Sequence, residues 1–221
     1  MQLNEPVKAV VFDLDGLMFN TEKLYDEVGG ALLDTRGHQF TTRLKDAMTG
    51  RPARVALQIM IDHHQLDATV EQLQAETDQI FPEILRQRLA PMPGLLPMLD
   101  ALEAVSMPKA VATSSSRSYA YAILGSFDLV SRFEFILTSE SVKEGKPHPE
   151  IYLSAARMLG IGAAEAVVFE DSEIGCRSAV SAGATTVAIP GEHSRHHDFS
   201  GVEFVAESLE DPRIFSLLGL E

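Results

Sequence analysis

The sequence has few of the features that mark membrane, secreted or disulfide-bonded proteins. Its single cysteine, Cys176, excludes a disulfide within the chain and agrees with a reducing compartment. No stretch reaches the roughly 18 apolar residues of a membrane-spanning helix. Acidic residues interrupt the apolar segment that a signal peptide would need, at Glu5, Asp13 and Asp15. We therefore expect a cytoplasmic protein that binds no membrane.

Basic residues are also scarce. The chain has 18 Lys and Arg against 32 Asp and Glu, which gives a formal net charge of −14. Nucleic-acid binding requires a surface rich in Lys and Arg, so we expect no nucleic-acid partner. A small phosphorylated molecule remains compatible with this charge, because it needs only a local positive pocket. For the oligomeric state we expect a monomer or a weak homodimer.

The sequence contains no tandem repeat or low-complexity tract, and its apolar periodicity divides it into two kinds of segment. Residues 22–88 follow a helical pattern, with Leu24, Val28 and Ala31 on one face. After a turn at 90–94, short apolar runs alternate with helical segments. Strands are predicted at 7–13, 109–113, 133–138, 166–169 and 185–189. Helices between them are predicted at 95–105, 117–126, 148–159 and 174–182.

Apolar runs without alternation are typical of strands that helices cover on both faces. The pattern therefore predicts an α/β fold, with a Rossmann-like parallel sheet core that is interrupted by an all-helical insertion. We assign residues 1–20 and 90–221 to the core domain and residues 21–89 to the helical domain. In such sheets the ligand binds beyond the carboxyl ends of the strands.

Polar side chains follow the predicted strands where a ligand would lie. The first strand ends in Asp13 and Asp15, which share a face if the strand stays extended. Later strands end in Thr113 and in Glu170 followed by Asp171, and Lys146 lies in a Gly-Lys-Pro segment between them. This set suits phosphoryl transfer: a nucleophilic carboxylate, an acid/base, a metal site and a cation for the phosphoryl oxygens.

Each of these groups has a simpler explanation when it is taken alone. Residues 113–116 also fit a helix N-cap, Lys146 also fits a solvated surface, and the acidic pair at 170–171 also fits a helix N-terminus. With the acidic pair at 13 and 15 these make four groups, in this order at or between strand ends, and their joint occurrence by chance is improbable. We therefore predict one active site.

With these motifs the chain resembles the haloacid dehalogenase superfamily. The segment FDLDG at 12–16 is similar to the family's first motif, Thr113 to its second, Lys146 to its third, and the pair at 170–171 to its fourth. The resemblance covers essentially the whole chain and implies that the helical insertion is a cap domain. It also implies a phosphatase that hydrolyses a small phosphorylated metabolite, such as a sugar phosphate or nucleoside monophosphate, through an aspartyl-phosphate.

The resemblance implies a role for each motif residue. Asp13 would be the nucleophile and Asp15 the acid/base. The cofactor Mg²⁺ would bind the Asp13 carboxylate, the Asp15 backbone carbonyl and Asp171, with Glu170 ligating directly or through water.

Three further residues would act on the phosphoryl group. Thr113 would bind it with help from the Ser114 amide, and Lys146 would pair with Asp13 and with the phosphoryl group being transferred. The carboxyl group of Asp15 favours phosphate esters over dehalogenation, because an alkoxide leaving group needs a proton and a halide does not.

Residues 13–22, which end in Glu22, are similar to the opening of the β-phosphoglucomutase-like branch of the family. This branch includes both sugar-phosphate mutases and phosphatases, so a phosphohexomutase remains the alternative. Tyr25 stands where the mutase has a cap histidine, which favours hydrolysis. The segment 48–51 and the tail 215–220 also resemble the pseudouridine-5′-phosphatase group.

Several residues are candidates for contact with the substrate. Besides Ser114 and Glu22, these are the cap residues Gly50, Arg51 and Arg54; either arginine fits an oxyanion contact or a solvated surface equally well. His193, His196 and His197 have no completing zinc ligands in the sequence, and we expect them in a solvent-exposed loop.

Overall fold

The apolar runs form short buried strands, because each has too few residues for a helix and is apolar on both faces. The computed structural model of the protein describes residues 6–48 and 53–220. In this part of the chain, six strands form one sheet in which every pair is parallel. The strands are β1 Ala9–Phe12, β2 Lys109–Ala112, β3 Ile136–Leu137, β4 Ala166–Glu170, β5 Thr185–Ala188 and β6 Phe204–Val205.

The strand order is β3-β2-β1-β4-β5-β6, which is the order of a doubly wound α/β sheet. Helices cover the sheet, and their bounds are α5 Leu95–Ala104, α6 Arg117–Gly125, α7 Glu150–Leu159, α8 Glu173–Ser181 and α9 Pro212–Leu218. Val11 and Val168 pack with α7 and α8 on one face. On the opposite face, the rings of Phe12 and Phe169 lie 5.3 Å apart. The predicted Rossmann-like α/β sheet is thus confirmed.

Asn20–Ala90 form a second compact unit, separate from the sheet unit that the rest of the described chain forms. It contains α1 Thr21–Asp34, α2 Thr42–Met48, α3 Ala53–His64 and α4 Val70–Arg88. Its core consists of aliphatic side chains that include Val28, Leu44 and Leu73. A capping box begins α4, where the Thr69 hydroxyl accepts from the Gln72 amide at 3.2 Å and the Gln72 side chain accepts from the Thr69 amide at 2.8 Å.

Some element bounds differ from those expected. The first strand ends at Phe12 and the third is reduced to Ile136–Leu137. Strand β6 has only two residues and helix α9 seven, which are too short for a periodic pattern to reveal. Helix α7 begins at Glu150. None of the helices in residues 6–48 and 53–220 is long and apolar enough to cross a bilayer.

Candidate active site

The register of β1 and β4 brings two acidic side chains together at the carboxyl edge of the sheet. Phe12 pairs with Phe169, and the Asp13 amide donates to the Phe169 carbonyl at 3.0 Å. Asp13, which follows β1, therefore lies beside Glu170, the last residue of the adjacent strand β4. The two side chains come together because parallel strands present their carboxyl ends on one edge.

A cluster of three carboxylates lies at this edge. Asp13, Glu170 and Asp171 each place one oxygen within 4.8 Å of the others, and all three residues are at most 7 % exposed. Burial, reinforced by the neighbouring negative charges and opposed by Lys146, raises the pKa of Asp13 well above its usual value. Burial and the neighbouring carboxylates therefore disfavour the ionised form of Asp13, and a further cation would favour it.

Lys146 supplies positive charge from the segment between β3 and α7. Its Nζ donates to Asp13 Oδ1 at 2.5 Å, to Glu170 Oε1 at 2.7 Å and to the Ala112 carbonyl at 2.9 Å. The side chain is only 5 % exposed, so the solvated-surface alternative for Lys146 is wrong. Burial disfavours its charge, but the two facing carboxylates outweigh burial and raise its pKa.

The carboxylate of Glu170 accepts hydrogen bonds from five donors within the protein. Its Oε1 accepts from Lys146 and, at 2.7 Å, from the Tyr152 hydroxyl. Its Oε2 accepts from the amides of Asp171 and Ser172 at 3.1 and 3.3 Å and from the Ser172 hydroxyl at 3.1 Å. Five hydrogen bonds exceed the roughly four lone-pair sites of a carboxylate, so this side chain is fixed.

The side chain of Asp15 lies outside the carboxylate cluster. The strand ends at Phe12, so the condition under which Asp13 and Asp15 would share a face, an extended strand through both residues, is not met. Its carboxylate accepts hydrogen bonds from the Ser115 hydroxyl at 2.6 Å, the Tyr119 hydroxyl at 3.0 Å and, more weakly, Thr113 at 3.5 Å. The two aspartates of the motif therefore have different surroundings. Charged groups surround Asp13, and hydroxyl groups surround Asp15.

His193 lies beside the carboxylate cluster. Its Nε2 is 2.9 Å from Asp171 Oδ2 and its side chain is 11 % exposed, so the expectation of a solvent-exposed loop is wrong for this residue. His196 is exposed and His197 half-buried. The loop that carries His193 lies 22 positions beyond Asp171 without a recognisable spacing, so no signal in the sequence indicated the contact.

The remaining predicted residues lie at varied positions. Thr113 is buried at the end of β2, whereas Ser114 is exposed. In the helical unit, Glu22 lies in the first turn of α1, and Arg54 forms an ion pair with Glu71 at 2.5 Å in which both side chains are about two-thirds exposed. Gly50 and Arg51 lie outside the described residues.

The chemistry of the cluster fits a divalent cation. Three buried carboxylates face one ammonium group, which leaves negative charge unbalanced when all three are ionised. Oxygen-only donors of this kind are typical of hard cations such as Mg²⁺. Asp171 would be oriented for this role by His193, since outer partners of metal ligands usually fix their geometry.

Fold and site together define the class: an α/β protein whose reactive carboxylates gather at the carboxyl edge of a doubly wound sheet. The chain belongs to the haloacid dehalogenase-like hydrolases, whose family model matches residues 10–189. The resemblance found in its motifs is thereby confirmed.

Individual relatives cover most of the chain. It is 32 % identical over 181 residues to a phosphorylated carbohydrates phosphatase of Thermotoga maritima, covering 80 % of this chain and 82 % of that one. It is also 32 % identical over 219 residues to the "Probable pseudouridine-5′-phosphatase" of Drosophila melanogaster, covering 96 % and 94 %. The structure of a HAD family hydrolase of Deinococcus radiodurans R1, with bound phosphate and sodium, matches with a TM-score of 0.83 at 28 % identity over 97 % of both chains.

Proposed function

We propose that this protein is a Mg²⁺-dependent phosphatase that hydrolyses a small phosphate monoester through an aspartyl-phosphate on Asp13. The observation that carries the proposal is the contrast between the two aspartates of the first motif. Asp13 lies among carboxylates and an ammonium group, whereas hydroxyl groups surround Asp15. Two carboxyl groups in unlike surroundings are suited to two different roles in one reaction.

Asp13 is the group that attacks phosphorus. Lys146 binds its Oδ1, which fixes the carboxylate and leaves Oδ2 for the attack. The new P–O bond forms to Asp13 while the bond from phosphorus to the leaving oxygen breaks. Because its pKa is raised, Lys146 keeps its proton and offsets charge on the phosphoryl oxygens.

Asp15 is the acid/base. In the first half-reaction it gives a proton to the leaving oxygen, and in the second it takes one from the water that hydrolyses the aspartyl-phosphate. Thr113, buried at the end of β2 and beside Asp15, binds the phosphoryl group with its hydroxyl. This arrangement keeps the acid within reach of the phosphoryl site.

The carboxylates of Asp13 and Asp171 are the side chains that would hold Mg²⁺, which supplies positive charge to the phosphoryl oxygens when it is bound. We assign Glu170 mainly to positioning, because its oxygens are already committed to Lys146, Tyr152 and the 171–172 segment. Whether Glu170 also reaches the cation through water stays a prediction.

The helical unit of residues 20–90 is proposed as the cap that selects the leaving group, with Arg51, Arg54 and Glu22 as its candidate contacts. The names of the two curated relatives favour a sugar phosphate or nucleoside monophosphate as substrate. A phosphomutase is less supported. At the position of the mutase's cap histidine, Tyr25 has no titratable ring nitrogen, and its ring stacks on Phe81 at 4.7 Å.

The test is phosphate release from a panel of hexose phosphates, phosphoglycolate, nucleoside monophosphates and pseudouridine 5′-phosphate in Mg²⁺. Asp13→Asn, which keeps the size of the side chain, should lower release from the best substrate by at least about a thousandfold. Asp26→Asn, in the helical unit, is the matched control and should keep most of the activity. Release that survives Asp13→Asn would refute the mechanism, and isomer formation without net phosphate release would establish the mutase.

A further inference from the structure

Tyr119 contributes a hydroxyl group to the surroundings of Asp15 that no motif of the sequence indicates. The hydroxyl donates to Asp15 Oδ1 at 3.0 Å, across 104 positions of sequence. The Ser115 hydroxyl donates to the other oxygen, Oδ2, at 2.6 Å. Each oxygen of this carboxylate therefore has its own hydroxyl donor, and the two hydrogen bonds together fix the orientation of the carboxyl group.

The start of α6 explains why these two hydroxyls converge. Ser116 is the N-cap residue, and its side chain accepts from the Tyr119 amide at 3.4 Å. Ala120, the next residue along, is fully buried and anchors this turn in the core. The Ser115 amide in turn donates to Thr113 Oγ1 at 3.0 Å, which ties the loop to the end of β2. Tyr119 is therefore presented from an anchored helix rather than from a free loop.

We propose that Tyr119 is a positioning residue that holds the Asp15 carboxyl group with Oδ2 toward Thr113 and the phosphoryl site. The inference rests on the proposed function, in which Asp15 protonates the leaving group. A hydroxyl bound at Oδ1 restricts rotation of the carboxyl group and so keeps Oδ2 on the side of Ser115 and Thr113. Oδ2 is also the oxygen nearer to Thr113, the residue assigned to the phosphoryl group.

Asp15 acts as the acid in the first half-reaction. The proton on Asp15 Oδ2 moves to the leaving oxygen as its bond to phosphorus breaks and the bond from Asp13 to phosphorus forms. An alcohol departs, and Asp15 is left as a carboxylate that again accepts from Tyr119. The Ser115 hydroxyl can rotate between donating and accepting, so it does not block Oδ2. Tyr119 itself exchanges no proton with the substrate.

The test compares two esters in Tyr119→Phe, which removes only the hydroxyl. The first probe is the alkyl phosphate that the panel above identifies as fastest, whose alkoxide needs the proton of Asp15. The second is p-nitrophenyl phosphate, whose leaving group departs as a stable anion without one. The ratio kcat/KM is measured for both, because it reports the steps up to departure of the leaving group and omits hydrolysis of the aspartyl-phosphate.

We expect Tyr119→Phe to lower kcat/KM about tenfold for the alkyl ester, in line with the loss of one hydrogen bond to a charged group. For p-nitrophenyl phosphate we expect a change of less than about twofold. Tyr121→Phe on the same helix is the matched control, because Tyr121 is 38 % exposed and its ring lies under Arg117. This variant should leave both ratios unchanged.

The outcomes separate the inference from the proposed function. Equal losses on the two esters, or no loss on either, would overturn the role of Tyr119 while Asp13-dependent hydrolysis stands. A wild-type protein that hydrolyses neither ester would overturn the proposed function and this inference with it. A selective loss on the alkyl ester supports the inference, since a purely structural defect would slow both esters alike.

Discussion

Gly175 allows the closest approach between backbone and active-site side chain in the described core, and replacing it with alanine gives a sharp test of the carboxylate cluster. A Cβ at this position would lie 1.8 Å from Glu170 Oε1 and 2.2 Å from Oε2. Real Cβ atoms keep at least 3.0 Å from such neighbours, so the Glu170 carboxylate would have to move by more than 1 Å. Its hydrogen bonds to Lys146 and Tyr152, both 2.7 Å long, would be lost.

The loss of stability can be estimated from the buried groups that would lose Glu170 as their hydrogen-bond partner. The Lys146 ammonium group and the Tyr152 hydroxyl are buried, so neither can form a hydrogen bond to bulk water in place of the one to Glu170. Breaking a buried ion pair costs about 3–5 kcal/mol, a large part of the roughly 5–15 kcal/mol that stabilises a typical domain. We therefore expect Gly175→Ala to lower the free energy of unfolding by that amount. Phosphate release should fall by more than about a hundredfold, because Lys146 loses one of its two carboxylate anchors.

The assay is urea unfolding at neutral pH together with phosphate release from the best ester of the panel. Gly125→Ala is the matched control: Gly125 is also helical, and nothing lies within 4 Å of its built Cβ. It should be neutral or up to about 1 kcal/mol more stable, because alanine favours the helix over glycine. If the two variants behave alike in stability and activity, Glu170 does not occupy the position described and the reasoning is refuted.

Two further predictions concern His193 and Glu103. His193→Asn should weaken Mg²⁺ binding, measured by calorimetry, about tenfold or more, because it removes the ring that contacts Asp171; an unchanged affinity would rule out this orienting role. The hydrogen bond from Arg132, aided by Lys109, lowers the pKa of Glu103 to about 2 from 4.5. Glu103 therefore stabilises the fold above about pH 4.5, and this contribution should be lost as the pH falls toward 2. Since the Glu103 side chain is 42 % exposed, Glu103→Gln should lower the free energy of unfolding at pH 7, measured in urea, by less than about 1 kcal/mol. The difference from wild type should vanish near pH 2. A difference that does not change with pH would contradict this explanation.

The parallel sheet explains why much of the site could be predicted from sequence. Asp13, Thr113 and Glu170 each follow an apolar run, and parallel strands bring such positions to one edge whatever their distance along the chain. The pattern of apolar runs therefore located the strand ends, and the residue types at those ends indicated the chemistry. The strand bounds were less accurate, because β3 pairs over only two residues, Ile136 and Leu137, although the apolar run that predicts it is longer.

The contacts that the sequence did not reveal come from side chains outside the strand ends. Tyr119 reaches Asp15 from the first turn of α6, and His193 reaches Asp171 from a loop. Both contacts depend on where a helix or loop packs against the sheet, which no local periodicity encodes. Both residue types are also common on surfaces or in cores without any catalytic role. Only the distances in the structure distinguish these two from the other tyrosines and histidines of the chain.

The first motif illustrates how local backbone conformation determines chemistry. Asp13 and Asp15 are two residues apart, yet their side chains enter different surroundings because β1 ends at Phe12 and the chain turns. Gly16 begins the turn that follows Asp15, with a φ of +77°, a conformation that side chains with a Cβ rarely adopt. A Cβ at Gly16 would also lie 2.4 Å from Asp171 Oδ2. The glycine thus meets two requirements at once: it adopts the left-handed conformation of the turn after Asp15, and it makes room for the carboxylate that we assign to the metal.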